Sequence, residues 1–568
     1  MLFNKKRYFT NKYPSLCLML FFIFIITFAL SSCKPSHPKY EAPLFDNIGN
    51  FHHPITTNSS LAQRYFDQGL TLLYSFEYGE AVRSFTASTK VDPTCAMCYW
   101  GLALSLGSKT NTELNGHELK DASAAIDQAL KYVDKNNFSE RLYISSLATR
   151  YKNISPQKLT EMSGLCGVSS LNQDSAKKYL NAMKQLMQLL PNDPDVKSLY
   201  VAAYIDSVEW MFWEQNGKPA PQTMGALKIL EEAIKENSNH PGANHFYIHM
   251  IEGSPNKKQS LPSAIKLGKL VPVSEHMEHM PCHTYYSLGD YHQAIVVNQN
   301  AIQRFKDYAA TCKAQGFEPE PQFLYFHDYD FLISAASMEG NKSLSLSTAN
   351  DLKEIITPWL KTTPFLQKMQ TPAILMLARF GLWNDILKLP HPPADKQYVL
   401  AIWHYARTLA YIENNQINDA KQELIKFKAI VQQGPVEKNL EQYGFTILKI
   451  ADAVLEGLLA EKAKNKTAML KNYNSAISLQ DSLYYSDPPG WYFPVRELLG
   501  VSLLRLGFSE EAKKAFQQDL EKNPNNPGSL FGLAQSESAL GNTDAANKVE
   551  QQFKKAWQYS DIDKPIYP

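Results

Sequence analysis

The chain has almost no surplus of either charge. Its 57 lysines and arginines stand against 56 aspartates and glutamates, a formal net charge of +1. Nothing in that balance draws a nucleic acid, which is held by a basic face. Covalent c-type haem is excluded as well, because its CxxCH signature is missing. The single CxxC, Cys95 and Cys98 in VDPTCAMCYWG, has Tyr99 where the histidine belongs. There is no HExxH, no glycine-rich phosphate loop and no serine nucleophile elbow, and EHMEH has the wrong order and spacing for a zincin. Long apolar runs are scarce too. The one candidate, Leu16 to Leu30, is broken only by Thr27 and is short for a span, which needs about 20 residues.

That run has a different reading. Lys5, Lys6, Arg7 and Lys12 precede it and LSSC follows it, ending at Cys33. A basic start, a short apolar core and small residues at the cut describe a secretory signal. LSSC resembles the lipobox of bacterial lipoproteins. The resemblance implies that residues 1–33 are a signal ending at a lipidated Cys33. It also implies that Lys34 at the next position directs the protein to the outer membrane, facing the periplasm. Loss of four basic residues and no acidic one moves the formal charge from +1 to −3. Residues 34–60, rich in Pro, His, Asn and Ser, suit a flexible tether. Beyond Cys33 the remaining cysteines are Cys95, Cys98, Cys166, Cys282 and Cys312, an odd number for an oxidising compartment. Cys95 and Cys98, at i and i+3 in a first helical turn, are expected to form a disulfide, with redox or metal work as the alternative.

What is present is a repeat. In residues 62–93, Gly69, Ala81, Phe85 and Pro93 fall at positions 8, 20, 24 and 32 of one unit. The same spacing returns as Gly500, Ala512, Phe516 and Pro524, continues with Ala534 and Ala546, and recurs in part as Thr408, Ala420 and Leu424. Small residues let paired helices cross closely, and the proline ends the second helix. This pattern resembles the tetratricopeptide repeat. It implies an all-α solenoid, curled into a superhelix, that binds a protein or peptide partner in its concave groove. The pattern is weaker at 110–220 and 340–395, where apolar helical periodicity persists, as in KYLNAMKQLMQLL. Two solenoid segments are expected, 61–340 and 341–568, the second closed by a polar-faced helix. CAMCYWGLALSLG, HPGANHFYIHMIEGSP and HMPCHTYYSLGDYHQAI further resemble a group of bacterial tetratricopeptide lipoproteins.

Histidine is concentrated in one place. Six of the 14 lie between His240 and His283. His245 and His279 are one repeat apart, as are His249 and His283. Each i, i+4 pair lies on one helical face, so four imidazoles on neighbouring helices could converge on a copper or zinc ion. Glu252 lies on the face of His249. His276 and Glu278 fall in the loop before the second pair, and each could complete the shell or act as a base. Met250, Met277 and Met280 interleave with the histidines, as copper ligands or as core filler. Cys282 adjoins His283 but occupies a position that wants a small buried residue. His327, beside Asp328 and Asp330, reads as a surface or capping residue. The same six side chains, His245, His249, His276, His279, His283 and Glu252, read alternatively as a peptide-binding or structural face.

Overall fold

The computed structural model describes residues 42–107, 116–151, 169–208, 210–214, 217–316, 323–361, 363–433, 442–483 and 485–567. The expected signal, Cys33, the first residues of the expected tether and Cys166 lie outside them. The described residues form helices and no strand, with one isolated bridge between Trp213 and Pro219. Among them no helix is long and apolar enough to cross a membrane.

The helices pair as antiparallel hairpins: α1 (Ser60–Tyr74) with α2 (Tyr78–Val91), α3 (Ala96–Leu106) with α4 (Gly116–Tyr132), and α5 (Phe138–Tyr151) with α6 (Ser169–Leu189). The order continues with α7 (Pro194–Val208) on α8 (Thr223–Glu236) and α9 (Pro241–Ile251) on α10 (Leu261–Leu270). Here the regular alternation breaks. A one-turn helix α11 (Glu275–His279) is followed at once by α12 (Pro281–Ser287), and both pack on the long α13 (Tyr291–Ala314). Pro281, with no N–H to lose, opens α12. Then come α14 (Phe323–Glu339) with α15 (Lys342–Ile356), α16 (Pro372–Arg379) with α17 (Trp383–Lys388), and α18 (Gln397–Glu413) with α19 (Ile417–Val431). The last pairs are α20 (Gln442–Lys462) with α21 (Lys466–Asp481), α22 (Val495–Arg505) with α23 (Ser509–Lys522), and α24 (Pro527–Ala539) with α25 (Thr543–Ala556).

The repeat positions act through close approach. Phe85 is fully buried between α1 and α3. A Cβ on Gly69 would lie 2.9 Å from its ring, and one on Gly101 only 2.2 Å away. Phe516 stands in the same way between Gly500 and Gly532, at 2.7 and 2.2 Å. The aromatic ring of each second helix thus fills the space that glycine leaves on two first helices.

The solenoid curls until its ends touch its middle. Tyr74, at the end of α1, meets α9, where a Cβ on Gly242 would lie 2.5 Å from its ring. At the other end α24 packs on α14, and the Asp561 carboxylate accepts the backbone N–H groups of Lys342 and Ser343 at 2.7 and 2.8 Å, capping the start of α15. Two apolar cores result, one from Phe66 to Met280 and one from Cys282 to Leu533. They divide at α11–α12, so residue 340, the boundary expected from the sequence, lies inside the second core.

Gly101→Ala is expected to lower stability by about 1–3 kcal/mol through overpacking against Phe85, measured by urea denaturation. Gly79→Ala, exposed in α2 with nothing within 4 Å of the new Cβ, should instead be neutral or stabilising by up to about 1 kcal/mol.

Candidate metal centre

The seam between the two cores is where the histidines collect. His245 and His249 come from α9, His276 and His279 from α11, His283 from α12 and His327 from α14. Their rings form a continuous file. Centroids are 4.8 Å apart for His245–His249, 4.9 Å for His245–His276, 5.8 Å for His276–His279, 5.1 Å for His279–His283 and 5.0 Å for His279–His327. The first five are buried and His327 is half-buried.

Two sets of donor atoms emerge, each within 4.8 Å: His245, His249 and His276, and His279, Cys282 and His283. The four histidines expected at one point from the repeat register do not form one set. The reason is α11, an extra turn that breaks the equivalence of α9 and α12. It places His276, expected in a loop, against His245. Glu278 points away and accepts from Asn300 Nδ2 at 3.0 Å.

The outer nitrogen of most rings is already committed. His245 Nδ1 is 2.6 Å from the Tyr74 carbonyl, an acceptor that obliges this nitrogen to donate. His249 Nδ1 faces Glu252 Oε1 at 3.4 Å, and His283 Nδ1 faces Glu252 Oε2 at 3.0 Å. His279 Nδ1 lies 2.7 Å from Asp328 Oδ1 and 2.8 Å from Asn298 Oδ1. With Nδ1 of His245, His249 and His279 donating, the Nε2 of each carries a lone pair toward the interior. His245 Nε2 is 3.0 Å from His276 Nε2, and His279 Nε2 is 3.1 Å from His283 Nε2. His249 Nε2 and His276 Nδ1 are buried with no hydrogen-bond partner. An outer acceptor that fixes the tautomer while Nε2 faces inward is the arrangement around histidine-bound metals. Nitrogens about 3 Å apart suit an ion about 2.0–2.1 Å from each.

The electrostatics point the same way. Burial depresses the pKa of His245, His276, His279 and His327 well below the usual value, and neighbouring imidazoles add to it. His249 is lowered by burial as well, although Glu252 opposes the shift. Such rings are neutral, as ligands must be. His283 differs. Burial lowers it, but Glu252 and Asp487, whose Oδ2 is 3.7 Å away, push it up to about 10. Burial would raise Glu252, but His283 and His249 hold it well below the carboxylate range. The charged His283 donates from Nε2 to His279, so a proton stands where a second cation would sit. Burial raises Asp328 and Glu275, which lie together behind His279.

Other expectations fall out differently. Met250, Met277 and Met280 are fully buried members of the first core. Cys282 is buried, its Sγ 3.7 Å from both ring nitrogens of His279, and burial pushes its thiol up. Cys95 and Cys98 are joined by a disulfide in the first turn of α3. His240 caps α9 through the Ala243 N–H and bonds Asp195 at 3.1 Å, apart from the file. His327 is not a surface cap, since its ring also lies 5.8 Å from His283. Sequence reasoning missed Asp328, Asp487 and Phe76. The Phe76 ring covers His245, His249 and His276 at 4.5, 5.8 and 5.4 Å. Of these, only Asp328 left a sequence signal, in its adjacency to His327.

Glu252→Gln removes the main partner of a buried cation, which is expected to cost about 3 kcal/mol in urea denaturation of the metal-free protein at pH 6. The sign follows from the two shifts. Glu252, lowered from 4.5, contributes above that pH, and His283, raised from 6.5, contributes until the pH rises through about 10. The difference between the two proteins should therefore shrink above pH 10. Equal stability at pH 6 would refute the ion pair.

Residues 498–561 match the tetratricopeptide repeat family. No curated protein matches the chain. Among solved structures it is similar to the human IFIT1 dimer with PPP-AAAA, at 12% identity over 88% of this chain and 91% of that one, TM-score 0.31. It is similar also to the APC/C hetero-tetramer Cut9-Hcn1, at 12% identity over 88% and 80%, TM-score 0.31. The chain carries tetratricopeptide repeats, and its fold is the all-α solenoid of stacked helix pairs that such repeats build.

Proposed function

We propose that this protein is a tetratricopeptide scaffold of the bacterial cell envelope that holds a transition-metal centre, copper or zinc, at the seam of its two coils. The observation that carries the reading is the set of His245, His249 and His276 donor atoms within 4.8 Å of one another, with His245 Nε2 3.0 Å from His276 Nε2 and the Nδ1 atoms of His245 and His249 facing the Tyr74 carbonyl and Glu252. Without an ion the arrangement is costly. His245, His249 and His276 are neutral rings crowded together in a dry interior, and His249 Nε2 and His276 Nδ1 lack hydrogen-bond partners there. Glu252, held ionised beside His249, supplies the negative charge that a cation needs there. Imidazole donors suit zinc and copper alike.

The repeats also support a protein-interaction scaffold, the usual use of a solenoid's concave surface. The histidine file is not that surface, because His245, His276 and His279 are buried beyond the reach of a peptide. A partner would dock elsewhere on the solenoid. Anchoring through a lipid on Cys33 rests on the basic start, the apolar run and LSSC.

Elemental mass spectrometry of the untagged chain from Ser36 onward should find about one ion per chain after copper or zinc loading and desalting, held by His245, His249 and His276. His276→Ala should lose that ion while keeping its far-UV circular dichroism. A folded wild-type protein that retains neither metal would sink the proposal, and so would a variant that retains the full complement.

A further inference from the structure

The turns between paired helices share one backbone feature. Two residues before the second helix of a hairpin, the chain enters the left-handed region. Gly340, Gly381, Gly507 and Gly541 do so, as do Asn415 and Lys464. The turn between α1 and α2 has Phe76 at that place, with φ 60°. A bulky side chain is a rare occupant of this region, and such strain persists where the surroundings over-determine it, as at ligand clamps. Here the surroundings are histidines. The Phe76 ring is 2% exposed and lies against His245, His249 and His276 together. Trp210, with φ 66°, is strained in the same way, and it stands edge-on to His249 at 4.9 Å and to Phe76 at 6.2 Å.

These two rings limit what the set of His245, His249 and His276 can hold. It offers three nitrogen donors, and among the described residues no fourth histidine, cysteine or carboxylate joins it. Phe76 and Trp210 take up the room beside it that an added ligand needs. Zinc asks for four ligands in almost all its closed sites, whereas Cu(I), a closed-shell monovalent ion, is stable with three nitrogens. Charge favours the same ion. The free energy of burying an ion rises with the square of its charge, so a dication costs about four times what a monocation of equal size does. One carboxylate touches the set, Glu252, and it divides its oxygens between His249 and His283. That is one negative charge at most, which matches one positive charge.

We infer that His245, His249 and His276 form a three-coordinate site for Cu(I), and that Phe76 and Trp210 discriminate against zinc by denying it a fourth ligand. The inference rests on the metal reading above and narrows it to one ion. It also accounts for the strained turn. Glycine at position 76 would relax the backbone, as it does in the other hairpins, but would leave the site open on that side.

The test is a competition under nitrogen on the untagged chain from Ser36 onward. Cu(I), kept reduced by ascorbate and buffered with bicinchoninate, is titrated against excess Zn(II), and both metals are counted by elemental mass spectrometry after desalting. The wild-type chain is expected to take up about one Cu(I) and to leave the zinc in solution. Phe76→Gly and Trp210→Gly both suit a left-handed backbone, and far-UV circular dichroism checks that each is folded. Each should keep the cuprous ion but narrow its advantage over zinc about tenfold or more, since room for a fourth ligand has opened. Zinc in place of Cu(I) in the wild type, or an unchanged preference in whichever variants fold, would overturn the three-coordinate assignment and leave the metal reading standing. A folded wild-type chain that binds neither ion would overturn both.

Discussion

The contact on which the architecture depends is the one between Tyr74 and α9. The Tyr74 carbonyl accepts from His245 Nδ1 at 2.6 Å, and its hydroxyl donates to Asp195 at the start of α7. One residue at the end of the first helix thus ties together helices that are more than a hundred residues apart in sequence. It closes the first coil, and by fixing the tautomer of His245 it also aims that ring's lone pair inward. Closure and ligand orientation are the same event.

The second coil answers with charge. Its loop brings Asp487 to His283, and α14 brings Asp328 to His279. Glu252 stands between, one oxygen toward His249 and the other toward His283. Buried carboxylates and imidazoles in this number are unfavourable as isolated groups. They are tolerable together because Glu252 and Asp487 lie against the charged His283 and Asp328 lies against His279, and the positive charge that Glu252 calls for can be a proton or a metal ion. A centre at the junction of two apolar cores gains dryness from both.

The break in the repeat is what makes this possible. A regular solenoid places equivalent residues on successive first helices, about one helix diameter apart. Inserting α11 shifts His276 and His279 out of that lattice and into the gap between α9 and α14. The cost is the loss of regular pairing at 271–290, which both cores cover. Repeat proteins tolerate such a break because each unit's stability comes mainly from its neighbours.

By itself the sequence determined the helix pairs. Gly69, Phe85, Gly500 and Phe516 act through local spacing, and a steric rule between adjacent helices is readable from any one unit. It also marked the histidine-rich stretch, because composition is local. Tertiary structure alone decided which nitrogens face one another, that His327 joins the file, and that Asp328 and Asp487 complete it. His327 lies 48 residues from His279, and Asp487 lies 204 from His283. Their meeting depends on how far each coil curls, a sum of small rotations over many helix pairs that no single motif encodes. The repeat register, extended through α11, misassigned the histidine partners for the same reason: one extra turn rotates everything after it, and only packing shows where the rotation ends.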